Sequence, residues 1–178
     1  PVLTPSVNVV YQLVHLYRHV FEGGIGLRQL MDYYFALRVW HNDVMECKDL
    51  QTQGMWSEGL GTPVMSAQEV MAVIRSFGMG KFAGAVMFVL QEVFAMSALC
   101  YICEPNEREG KKLLEEIMKG GNFGQYDTRD AALKKGGMVK HGVWKLKRVM
   151  RLVSSYPEEA LWKPVFRVYH LFWRIIHR

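Results

Sequence analysis

The chain has little cysteine, little proline and no long apolar run. Three cysteines stand in 178 residues, Cys47, Cys100 and Cys103. So sparse and odd a set is no disulfide framework, and it points to a reducing compartment. No stretch reaches the ~18–20 apolar residues that a membrane span needs. The longest candidate, Phe82 to Leu90, is about half that and reads as a buried helix. No charged-then-apolar leader opens the sequence. Together these absences give the expectation of a cytoplasmic protein with no membrane partner. Almost nothing alternates with period two, so strands are not expected; Leu99 to Cys103 is the best local candidate.

Apolar residues are plentiful. Half of the chain is hydrophobic, which excludes a disordered protein. At this length a folded chain buries roughly 70% of its unfolded surface, enough for a core without staples. Net charge is +5, unevenly spread. Leu133 to Arg178 carries +9 and the remainder −4. A basic end attracts phosphate, nucleic acid or an acidic partner, or is simply a solvated helix face.

Helical periodicity dominates, and the expected fold is all-α. It is a single compact domain over 1–178 of about six to eight helices with irregular connections. A sub-division is possible near 51–65, with a basic helical end at 133–178. The first helix is expected from Val7 to Phe21 with Ser6 as its N-cap; Val10, Leu13, Val14 and Tyr17 form one apolar face. Glu22-Gly23-Gly24 ends it. A second helix follows from Gly26 to about Asp43, and 51–65 reads as a loop. Ser66-Ala67-Gln68-Glu69 is a capping box that opens a helix ending near Phe77-Gly78. Lys81 to about Ala95 is another apolar helix. Asn106 to Glu109 is a box-like start for a helix through Met118, stopped by Gly120-Gly121. Further helices are expected from Met138 to Ser154 and from Pro164 to His177.

Candidate chemistry is scattered. His15 and His19 are four residues apart on one helix face, the spacing of half a metal site or of a hydrogen-bonded pair. No third ligand completes a metal site. Arg28 and Asp32 have the same spacing on the next helix. A tight hairpin between the two helices would gather all four residues, either as structural glue or as a phosphate-facing cluster. Cys100 and Cys103 lack the further ligands zinc needs and the strand–helix setting of a redox pair, so both read as core. Gly120, Gly121, Asn122 and Gly124 form a weak anion-loop candidate without the Lys-Ser/Thr of a P-loop. Asp127 and Asp130 have no third acid nearby, which favours a cap or turn role over metal-ion chemistry. Trp162, Phe166, Tyr169, Phe172 and Trp173, interleaved with Arg167 and Arg174, can stack bases but at helical spacing read as a packed face. No catalytic residue is assigned.

Gly26-Leu27-Arg28-Gln29-Leu30-Met31-Asp32, preceded by His15 and His19, resembles the helical part of an uncharacterised nucleotidyltransferase-like family of Bacteroides-type bacteria. Gly120-Gly121-Asn122-Phe123-Gly124 and the closing His170-Leu171-Phe172-Trp173-Arg174 fit the same family in the same order. The resemblance implies an N-terminal catalytic half ahead of Pro1, carrying a Gly-Ser or Gly-Gly start and an Asp-x-Asp or Asp-x-Glu pair. It also implies Mg²⁺ and a nucleoside triphosphate in the full-length parent. This chain has no such pair, so the expectation is an accessory, substrate-side region that is not catalytic alone. Its partners would be the catalytic half and a phosphate-bearing substrate. The alternatives are a helical protein-interaction module, or a phosphate- or nucleic-acid-binding domain that uses the basic end.

Overall fold

A computed structural model describes residues 3–22, 24–52 and 64–120. These form five α-helices and one 3₁₀ turn, and contain no strand. The helices are α1 (Pro5–Glu22), α2 (Leu27–Thr52), α3 (Ala67–Ser76), α4 (Gly80–Phe94) and α5 (Glu107–Gly120). The all-α expectation therefore holds for the described residues. The six to eight helices expected included two after 121, which lie outside them. The chain divides into two units, Pro1–Tyr126 and Asp127–Arg178. All described residues belong to the first unit. None of their helices is long and apolar enough to cross a membrane.

α4 is the centre of this unit. Nine consecutive residues, Phe82 to Leu90, are buried. A helix apolar on every side is stable only when neighbours surround it, and α2, α3 and α5 all pack on α4. α1 lies against α2 and α3, and its Tyr17 ring sits 5.0 Å from that of Phe82. Each such buried apolar side chain contributes roughly 1.5–3 kcal/mol. The closest packing is between α4 and α5. A Cβ at Gly110 would stand 2.5 Å from Phe88 Cβ, so only glycine fits there.

Local signals set several boundaries. The Ser66 box forms in full: Ser66 Oγ accepts from the Glu69 amide, and Glu69 Oε2 accepts from the Ser66 amide at 2.8 Å. The Ser66 amide foremost, and the Ser66 hydroxyl, which also donates to Glu69 Oε2 at 2.9 Å, hold the Glu69 carboxyl below its ordinary range. Asn106 caps α5 by accepting from the Glu109 amide at 3.1 Å. Gln29 reaches back to accept from the Gly26 amide at 2.8 Å, half a capping box for α2. Ala95 closes α4 in the left-handed conformation, φ 49°, with its amide and that of Met96 both donating to the Leu90 carbonyl.

Two expectations are corrected, and a weak strand candidate is resolved. Ser6 is not the cap of the first helix. Thr4 is, accepting weakly from the Val7 amide at 3.4 Å, with Pro5 in the first turn. Ser6 is buried inside α1 and accepts instead from the Met65 amide at 2.9 Å, while Trp40 Nε1 donates to the Met65 carbonyl at 3.0 Å. α1 and α2 thus grip both backbone polar groups of one residue, Met65, in the chain entering α3. The second helix runs on to Thr52, so 51–52 are helical and not loop. Leu99 to Cys103 is no strand: Ser97 caps a 3₁₀ turn over Ala98–Cys100, and a bend follows.

Candidate functional site

The four polar residues singled out by the sequence separate into two pairs. His15 and His19 do meet, Nε2 to Nε2 at 3.1 Å with ring centroids 4.4 Å apart, on the outer side of α1. One ring donates and the other accepts. Arg28 and Asp32 are both exposed on α2. No ion pair joins them to each other or to the histidines among the described residues. The hairpin packs the two helices against each other, and the contact seen within the four residues is that of His15 with His19. Among the described residues no three His, Cys, Asp or Glu side chains are grouped to hold a metal. Gly120 ends α5; Gly121, Asn122 and Gly124 lie outside the described residues, as do Asp127, Asp130 and the aromatic, basic end.

Cys100 is buried and Cys103 partly so, and both are free thiols. Burial pushes both up from the ordinary thiol value, Cys103 to about 11, with the Glu104 carboxylate adding to the effect at Cys103 and Arg75 opposing it. Both are therefore protonated near neutral pH and poor nucleophiles.

The structure places a different feature at the surface, a cleft of about 810 Å³ walled by α3, the start of α4 and the 98–106 connection. Arg75, Lys81, Glu104, Asn106, Gln68 and Cys103 are among its lining residues. Each wall has a local cause. Gly78, at φ 70°, supplies the left-handed turn between α3 and α4, and the turn sets Arg75 and Lys81 on either side of the break. Gly80 leaves room for the Arg75 stem, whose Cγ lies 3.4 Å from where a Cβ would stand. Gly84 lets the connection lie against α4: a Cβ there would meet Asn106 Cβ at 3.0 Å. The Asn106 amide donates to the Gly84 carbonyl at 2.9 Å. Asn106 therefore both caps α5 and braces the cleft wall.

Two cations thus stand at the first turn of α4, which has no side-chain cap. The leading amides of a helix lack intrahelical acceptors and carry partial positive charge. Guanidinium, ammonium and helix start act in the same direction, toward an anion. Glu104 opposes them on the facing wall and narrows the choice to a ligand that also offers a donor or a metal-bound edge. Behind this wall the Tyr33 hydroxyl is fully buried without a hydrogen-bond partner. Burial first, and the nearby Cys103 second, raise its pKa. None of His15, His19, Arg28 or Asp32 lines the cleft.

Sequence reasoning missed the cleft because its walls come from three separated segments. The available signal was Arg75 and Lys81 flanking a glycine-bearing helix break, with no Ser, Thr, Asp or Asn to cap the second helix. No family model, curated protein or solved structure matches the chain.

Proposed function

We propose that the first unit is a non-catalytic, substrate-side helical region of a nucleotidyltransferase-like protein, and that its cleft receives a phosphate-bearing ligand. The resemblance of the Gly26–Asp32 segment carries the family part of this reading. One observation carries the ligand part: Arg75 and Lys81 flank the uncapped start of α4. An anion there satisfies the amides, the guanidinium and the ammonium together. The cleft is open and burial keeps its one thiol, Cys103, protonated, which suits holding a ligand better than thiol chemistry. Nucleotide and Mg²⁺ would enter with the catalytic half, and this chain would supply only binding groups.

The test is calorimetric titration of the intact chain with inorganic phosphate and with ATP. Weak binding is expected, with Kd of about 1 mM for phosphate. The Arg75→Ala, Lys81→Ala double variant should lose tenfold or more. Absence of binding, or binding unchanged in the double variant, would remove the cleft reading. Nucleotidyl transfer by the chain with ATP and Mg²⁺, above a metal-only blank, would remove the non-catalytic one.

A second reading, a helical interaction module, has its own observation in the exposed apolar side chains of α2. A nucleic-acid role for 133–178 predicts binding that falls steeply with salt, and these residues lie outside the described part.

A further inference from the structure

α2 is apolar on two sides. Leu30, Tyr33, Leu37 and Trp40 face the core and are buried. Leu27, Met31, Phe35 and Val39 recur at every fourth residue on another side, and are 36% to 54% exposed. Isolated exposed apolar residues need no explanation, but a row of four along one helix is a patch that water disfavours.

The charges beside this row are not arranged for α2 alone. Its first turn has no acid and its last turn no base. Arg28 instead stands in the first turn, against the helix dipole. Arg28 and Glu46 are both exposed, and neither has an ion-pair partner among the described residues. They are 18 residues apart, five whole turns of ~3.6 residues, so they project from the same side of the helix. That side is the one bearing Phe35 and Val39.

We infer that this face of α2 pairs with α2 of a second copy of the chain, antiparallel, about a two-fold axis at residue 37. Position 37 is midway between Arg28 and Glu46, and midway between Phe35 and Val39. An axis there sets each Arg28 against the other copy's Glu46, and each Phe35 against the other copy's Val39. A parallel pairing would set Arg28 on Arg28 and Glu46 on Glu46. Isologous contacts of this kind close at two copies. The paired length, Leu27 to Glu46, is roughly 28 Å at 1.5 Å per residue. One helix face of that length falls short of the ~800 Å² per partner of a standard interface, so association is weak and concentration-dependent. The pairing is independent of the cleft.

Sedimentation equilibrium of the intact chain tests it. A monomer–dimer equilibrium is expected, with Kd of about 10–100 µM. Phe35→Glu should abolish it. Arg28→Glu and Glu46→Arg should each weaken it about fivefold or more, since two pairs are lost at once. The doubly swapped variant should return close to the parent, because the pairs re-form with signs exchanged. Arg75→Ala with Lys81→Ala should leave it unchanged. Circular dichroism of each variant checks that the fold is kept. A chain monomeric up to about 0.5 mM, tenfold or so above the expected Kd, would overturn the inference. So would a dimer indifferent to Phe35→Glu and to the charge reversals. Phe35-dependent co-sedimentation of a monomeric chain with neutral phosphatidylcholine vesicles would also overturn it, by assigning the face to lipid.

Discussion

α4 and α2 use apolar residues in opposite ways. In α4 they run consecutively from Phe82 to Leu90 and all are buried, because α2, α3 and α5 surround the helix. In α2 they divide between two sides, and only the side toward α1, α4 and the 3₁₀ turn is covered. Apolar content alone therefore does not decide burial. What decides it is how many neighbours the topology supplies. A central helix consumes its apolar residues in the core, whereas a peripheral helix with the same residue types has some left over for a partner.

The two phenylalanines put this contrast to its hardest test. Phe82→Ala removes a fully buried ring against Tyr17 and should cost about 3–5 kcal/mol, read as a lowered midpoint in urea denaturation. Gly110→Ala tests the close α4–α5 contact. A Cβ there meets Phe88 near its own Cβ, where the ring cannot swing away. The expected loss is about 1–3 kcal/mol, although alanine is the better helix former by about 1 kcal/mol. Tyr33→Phe acts on the covered side of α2. It removes a buried hydroxyl without a partner, and should leave stability unchanged or raise it by about 1 kcal/mol in the same assay. Phe35→Ala acts on the uncovered side. At concentrations where the chain is monomeric it should shift stability by no more than about 0.5 kcal/mol. A large loss for Phe35→Ala at such dilution would mean that α2 has only one kind of face, and the comparison would fail.

How far the sequence disclosed this structure depended on range. Ser66 and Glu69 were legible because both halves of the box lie within four residues. The same holds for Asn106 over Glu109 and for the apolar run of α4. Ser6 was misread because its partner, Met65, is 59 residues away, and no local pattern encodes that bond. α2 outran its expected end at Asp43, although Trp40, Val44 and Cys47 keep the helical spacing past that point; the polar residues around them hid a signal that was present. Leu99 to Cys103, a run of five apolar residues with no alternation, gave no firm strand signal, and it forms a 3₁₀ turn and a bend. The His15–His19 contact was legible from spacing alone. The gathering of Arg28 and Asp32 with it required knowing which way α2 faces, which is a tertiary fact. The cleft was illegible for the same reason.

Asn106 joins α4 to α5 through two bonds: its backbone amide donates to the Gly84 carbonyl in α4, and its side-chain oxygen accepts from the Glu109 amide in the first turn of α5. Neither helix can open at that end without releasing the other. In hydrogen exchange, amides of α5 near Glu109 should therefore open with those of α4 as one cooperative unit, whereas α1 and the outer turns of α2 are free to exchange by smaller local openings.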